Sequence, residues 1–138
     1  MALRGRFKNL KNDAGVLVTV AALTATDYSE TLGLGGLSSF GIMVDCGTVS
    51  GTTSPTLDIT PQISYDSGTT WVTQMPAEFG STTAAACAQM TATGHDRIGC
   101  WDNPFPADSD LKLRFAFTIT GTGSPSFTLT KVKFFGRS

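Results

Sequence analysis

The sequence predicts an all-β protein, an antiparallel β-sandwich or jelly roll. Three observations lead there. Apolar residues alternate at period two, most cleanly in Leu111-Lys112-Leu113-Arg114-Phe115-Ala116-Phe117-Thr118-Ile119, where the odd positions form one apolar face. Thr, Val and Phe are abundant and 15 Gly punctuate them, a composition that favours strands and turns over helices. Finally, a motif nearly repeats: Gly51-Thr52-Thr53-Ser54-Pro55-Thr56-Leu57-Asp58-Ile59 returns as Gly121-Thr122-Gly123-Ser124-Pro125-Ser126-Phe127-Thr128-Leu129. Each copy is a Gly/Thr turn, then Ser-Pro, then an alternating strand, and each follows an apolar strand candidate. Two hairpins of similar build, one near each end of the core, are expected.

In chain order, residues 1–12 read as a flexible basic arm and residues 13–138 as one sandwich domain. Gly15 to Leu23 is a strand candidate because it is dense in β-branched residues. Thr24 to Ser38, with Gly33, Gly35 and Gly36, reads as a long irregular loop. Phe40 to Cys46 is the next strand. Thr56 to Tyr65 follows, with Leu57, Ile59, Ile63 and Tyr65 on one parity. Pro61 cannot donate to a ladder, so an edge position or a bulge is expected there. Asp66-Ser67-Gly68-Thr69 signals a hairpin turn, and Trp71 to Met75 is the return strand. Pro76 to Ala86 reads as a loop or short helix, and Ala84 to Met90 is the only helix-like composition. Thr91 to Asp110 is loop-rich, with one strand around Arg97 to Trp101. Leu111 to Ile119 and Phe127 to Phe135 complete the set, and the second of these has a mixed pattern with no single apolar face.

A chain of 138 residues holds one domain with a real core. Only 15% of residues are charged, against roughly 25% in ordinary soluble domains, which weakens the usual protection against association. A net charge of −1 gives no global basic field to recruit nucleic acid. The charge is nevertheless uneven. Arg4, Arg6, Lys8 and Lys11 precede the first acid, and Lys131, Lys133 and Arg137 close the chain. Such ends are either solvated or dock on an acidic partner surface. The apolar stretch Ala14 to Ala22 is too short to cross a bilayer, which needs about 20 apolar residues, and no signal peptide is evident. Cys46, Cys87 and Cys100 make an odd number, which fits folding in a reducing cytosol better than a disulfide framework.

No catalytic constellation stands out. Cys87, His95 and Cys100, with Asp96 or Asp102, lack the ligand spacing of a zinc finger or ribbon, so no metal is expected. His95 is the only histidine, and no Gly-x-Ser-x-Gly surrounds any serine, so hydrolase chemistry is weakly supported. Asp108 and Asp110 read as a turn that blunts an edge. Trp71, Trp101, Tyr28 and Tyr65 are the aromatics able to stack on sugars or bases. Trp101, in Cys100-Trp101-Asp102-Asn103-Pro104, is the best placed for an exposed contact. No basic, aromatic-interleaved strand supports nucleic-acid binding. No cofactor is implied.

Ser64-Tyr65-Asp66-Ser67-Gly68-Thr69-Thr70-Trp71 resembles the Asp-box turn of sialidases and other glycan-active propellers. There the motif is structural: Asp66 would accept turn amides, Gly68 would take positive φ, and Trp71 would pack beneath. Three segments taken in order, Ile63 to Trp71, Leu111 to Phe117 and Thr120 to Thr128, resemble a family of small virion proteins of tailed bacteriophages. Such proteins are similar to head decoration, or cement, proteins, which are commonly β-sandwiches or jelly rolls forming trimers on the capsid. Residue 67 is Ser where that family often has Gly. The resemblance implies a homo-oligomeric structural protein of the capsid exterior, assembled in the host cytoplasm. It would clamp neighbouring major capsid proteins, with Arg4, Arg6, Lys8 and Lys11 reaching over a neighbour. A tail, collar or fibre-associated module and a glycan-binding module are the alternatives.

Overall fold

A computed structural model describes residues 5–72, 88–93, 97–103 and 106–138, with the backbone alone at 5–6, 88–89 and 97–102. The strands are β1 (Gly5–Asn9), β2 (Asp27–Tyr28), β3 (Leu32–Gly33), β4 (Ser39–Ser50), β5 (Thr53–Ser64), β6 (Ala88–Met90), β7 (Arg97–Asp102), β8 (Lys112–Thr122) and β9 (Ser126–Arg137). The first sheet has the order β1-β9-β4-β7; the second has β2-β8-β5-β6, with β3 also on β8. Every pairing is antiparallel. The chain is the all-β sandwich that its alternation predicts.

The core lies between the two inner faces. β4 contributes Phe40, Ile42, Val44 and Cys46, and β9 contributes Phe127, Leu129, Val132 and Phe134. Facing them are Leu57, Ile59 and Ile63 of β5 and Leu113, Phe115 and Phe117 of β8. Phe40, Phe115, Phe117 and Phe127 are fully buried. Burying each is worth about 1.5–3 kcal/mol relative to exposure, so these rings dominate cohesion between the sheets.

The two copies of the repeated motif are not hairpins. β4 belongs to the first sheet and β5 to the second; β8 belongs to the second and β9 to the first. Each motif is therefore an arch that crosses between sheets, and the two arches lie side by side. The reason is backbone conformation. Gly51 (φ 138°) and Gly121 (φ 129°), followed by Ser54 (φ 37°) and Ser124 (φ 56°), turn the chain out of the sheet plane. The strands then pair with the other copy, β4 with β9 and β5 with β8.

This arrangement is a local twofold. The exchange that carries Gly51 onto Gly121 carries the Ser50–Ser126 pair onto Thr120–Thr56, and Val49–Phe127 onto Ile119–Leu57. Side chains follow the same symmetry. Ser50 Oγ and Ser126 Oγ are bonded at 2.7 Å, and the Thr56 and Thr120 hydroxyls also bond each other. So do the glycines: a Cβ on Gly51 would lie 3.1 Å from Pro125 Cα, and one on Gly121 would lie 3.0 Å from Pro55 Cα.

The mixed pattern of the last strand has a structural cause. Leu129 pairs with Cys46 and Lys131 with Asp45, leaving Thr130 extra; Thr128 then pairs with Thr48, leaving Gly47 extra. These bulges flip the buried parity of β9 from Phe127 and Leu129 to Val132 and Phe134, and of β4 from Cys46 to Val49. At Gly47 the strands approach so closely that a Cβ would lie 2.6 Å from Thr130 Cγ2.

Several local expectations are corrected. Residues 5–9 are not an arm but edge strand β1, in register with β9 from Gly5↔Arg137 to Asn9↔Lys133. Leu10 is a core residue, 1% exposed, and its N–H donates to Val132 O at 3.0 Å. Phe7, set opposite Phe135 between basic neighbours, is the alternation that the charges obscure. Residues 15–23 are not a strand. With β1 on the free edge of β9, they fold into turns anchored by Asn12, whose Oδ1 accepts the N–H groups of Ala14 and Val16, both at 3.0 Å. Only Val18 and Leu23 of their large apolar side chains are buried.

Within the expected long loop, Tyr28 and Leu32 lie in short strands on β8. Ala88–Met90, read as helix-like, is strand β6; residues 73–87, which include the rest of the expected return strand and helix, lie outside the described residues. Pro61 is buried and pairs with Phe115 in a strand with neighbours on both sides. It costs no rung of the β5–β8 ladder, because odd residues of β5 direct their backbone groups away from β8, as the two bonds between Ile63 and Val72 show.

Gly121→Ala is expected to cost about 1–3 kcal/mol, from strained φ plus contact with the Pro55 backbone. Gly33→Ala, whose added methyl meets only Lys112 Nζ at 3.8 Å, should stay within about 0.5 kcal/mol of the parent. Urea melts of the two variants test this; equal losses would mean that the arch contact is not a constraint.

Candidate functional site

The described large apolar side chains that are well exposed fall into two groups. Phe7 (66%), Val16 (46%), Leu17 (38%) and Val20 (68%) lie in the N-terminal segment, and Tyr65 and Val72 flank the Asp66 turn.

The first surface joins β1, β9 and the turns of residues 14–22. Phe7 stacks on Phe135, with ring centroids 5.9 Å apart, and Lys133 Nζ lies 5.7 Å from the Phe7 ring centre. Lys133 also lines a cleft of about 220 Å³ with Asn9, Leu10, Leu17, Thr19, Thr130, Lys131 and Val132. Leu17 continues into a smaller cleft of about 100 Å³ bordered by Val16, Ala21 and Ala22. One strip therefore runs from Phe135 to Ala22, with Phe7, Leu17 and Val16 as its exposed apolar residues and the side chains of Lys131 and Lys133 set among them.

The basic residues expected in the arm are dispersed by the structure. Arg4 lies outside the described residues, and Arg6 is placed only by its backbone, opposite Gly136. Lys8 forms an ion pair with Glu30, whose other carboxylate oxygen accepts the Lys11 N–H at 2.8 Å. With Lys8 47% exposed, that pair contributes at most about 1 kcal/mol. Lys11 itself is exposed beside Leu17, with which its backbone pairs. Sequence reasoning noted Lys131 and Lys133 but missed Phe7 and Phe135, which become neighbours only through the β1–β9 register.

The second surface lies on the outer face of the second sheet. Ser64 Oγ donates to Asp66 Oδ1 at 2.7 Å and accepts the Gly68 N–H at 2.8 Å. Asp66 Oδ1 also accepts the N–H groups of Thr69 and Thr70, at 3.1 and 2.8 Å. Hydrogen bonds, led by that from the Thr70 amide and then the Ser64 hydroxyl, hold the Asp66 carboxyl down at about 2. Gly68 has φ 93°, and its Cα side faces the half-buried Trp71, which an added Cβ would approach at 3.6 Å. Asp66, Gly68 and Trp71 thus occupy the positions that their turn chemistry predicts.

Ser67 is left-handed at φ 60°, where glycine fits without cost, but its hydroxyl donates to Asp110 Oδ1 at 2.8 Å and its N–H to Asp110 O at 3.1 Å. Asp110 is itself held by Asp108, whose Oδ1 accepts its N–H at 2.9 Å. The serine replaces glycine's freedom with a tie to the loop before β8.

Beside this turn, Arg114 of β8 stacks against two rings, with Cζ 4.1 Å from the Tyr28 centroid and 4.6 Å from that of Trp71. Its Nε donates to Gln62 Oε1 at 2.5 Å. Sequence reasoning named both aromatics as able to stack on sugars or bases, and Trp71 also as the ring beneath the turn, but missed the guanidinium beside them. The signal was present in the alternation of β8, which places Arg114 on the outer face.

Trp101 lies in β7 with its backbone opposite Phe40, within the strand expected around Arg97 rather than in a loop. Cys87, His95 and Asp96 lie outside the described residues. Cys46 is buried, and burial raises its thiol pKa; the S–H contacts Thr48 O at 3.5 Å. Among the described residues no group of His, Cys, Asp and Glu is placed to hold a metal ion. No protein-family model, curated protein or solved structure matches the chain.

The depressed pKa of Asp66 sets a pH dependence. Its stabilising effect is fully present above the unfolded carboxyl value of about 3.9 and is lost as pH falls through about 2. The stability gap between the parent and Asp66→Ala is therefore expected to narrow as pH drops from 4 toward 2. Denaturant melts across that range measure it, and a gap constant with pH would show that the charge of Asp66 plays no part.

Proposed function

We propose that this chain is a structural virion protein, a cement subunit that sits on the exterior of a bacteriophage head and bridges major capsid proteins. The observation that supports this most is the surface from Phe135 to Ala22, where exposed Phe7, Val16 and Leu17 are interspersed with Lys131 and Lys133. A strip of Phe, Val and Leu left in water is costly for a free protein and is ordinary for one that is covered in an assembly. Cations set among these residues suit an acidic partner face and set orientation more than affinity. The low overall charge fits the same role.

On this reading contact runs through a rigid sheet edge and its adjoining turns, in place of a reaching arm. Each subunit contributes a modest interface, and trimer symmetry on the head multiplies it. A tail or collar module would use the same strip against a different partner.

Light scattering should give a trimer mass, and the protein should cosediment saturably with undecorated phage heads but not with isolated tails. Leu17→Asp, at a site already 38% exposed that lines both clefts, should leave the fold intact and weaken head binding by at least about tenfold, the effect of losing roughly 1.4 kcal/mol. Raising salt should weaken it further. A monomer indifferent to heads, or a Leu17→Asp variant that binds as the parent does, overturns the proposal.

A further inference from the structure

We propose that Arg114 is the centre of a binding site for a small carboxylate, on a face of the sandwich separate from the apolar strip and independent of the head-binding reading. The guanidinium is closely positioned: Tyr28 and Trp71, from two different segments, both lie against it, at 4.1 and 4.6 Å from Cζ. Gln62, directly opposite in the β5–β8 register and only 6% exposed, accepts the Nε–H. Rotation about the side-chain end is thereby fixed.

What remains is the outer edge of the fork. The N–H donors of the two terminal nitrogens have no partner among the described residues, and no described carboxylate lies within ion-pair distance of Arg114, since the Lys8–Glu30 pair is the one formed there. A half-buried, ordered cation without a counterion carries a desolvation cost that a bound anion would offset. With Nε occupied, the open geometry is end-on: two parallel N–H donors aimed at two oxygens of one planar group. A carboxylate matches that geometry. The neighbouring Tyr28 and Trp71 rings lower the local polarity around the fork, strengthening the pair relative to a fully exposed contact.

The test uses the full chain labelled with ¹⁵N, following the Arg114 Nε–H and Trp71 indole N–H signals. The probes are acetate, D-glucuronate and the uncharged methyl ester of glucuronate. Saturable shifts are expected for the carboxylates with dissociation constants of roughly 1–10 mM, the weak end of the affinity scale. The ester should produce none. Arg114→Lys keeps the charge but loses the fork, so it should weaken binding at least about tenfold. Tighter binding of glucuronate than acetate would assign an acidic sugar as the source of the carboxylate; equal binding would assign small organic acids generally, and both uphold the site. No saturable shift up to about 100 mM, far above the expected range, overturns it, as does ester binding equal to that of the acid. Because the ester comparison needs no variant, the result stands even if Arg114→Lys fails to fold.

Discussion

The close approach of two arches is the constraint on which the rest of the structure depends. Gly51 lies against Pro125 and Gly121 against Pro55, so closely that a Cβ would press on the proline backbone at 3.1 and 3.0 Å. That packing places β4 beside β9 and β5 beside β8, creating the central ladder of each sheet at once. The other described strands are peripheral to these four. β1 and β7 border the first sheet, while β2, β3 and β6 border the second. The core rings follow automatically, because the inward positions of four long strands meet across the gap between sheets.

The two surfaces differ in how the fold builds them. The strip around Phe7 is made from border elements: an edge strand, turns pinned by Asn12, and the outer face of β9. Its chemistry is apolar contact over area, suited to a large partner. The Arg114 site is made from central strands β5 and β8, with Tyr28 and Trp71 brought in from neighbouring segments. Its chemistry is directional and compact. Positions on central strands are held more rigidly than positions at borders, and a hydrogen-bonded fork needs that rigidity more than an apolar strip does.

The fold class and the long strands were legible in the sequence because burial on one face forces period-two alternation, as in Leu111 to Ile119. The Asp66 turn was legible because its bonds are local, spanning Ser64 to Thr70. What stayed hidden depended on partners distant in the chain. Val16 to Val20 has strand composition, but a strand requires a vacant neighbour, and β1 already holds that edge. Residues 5–9 look like a charged tail until Phe135 is set opposite Phe7. The last strand looks patternless because Gly47 and Thr130 each insert a residue and shift its parity. Arg114 was visible as an outward residue, but nothing local shows that Tyr28 and Trp71 both converge on it.

The long reach of the central ladders bears on how the chain is made. Ser50 and Ser126, bonded across the first sheet, are separated by 76 residues of sequence. β9 is the last of these nine strands to leave the ribosome, yet both β1 and β4 take it as their neighbour. Until it emerges, the first sheet lacks its central ladder, and one hydrogen-bonding edge of β4 must wait unpaired. Folding is thus a late, nearly all-at-once event dominated by distant pairings, slow by the general relation between topology and rate. A nascent chain of this kind depends on the cell to keep the exposed β4 segment from associating before the final strand arrives.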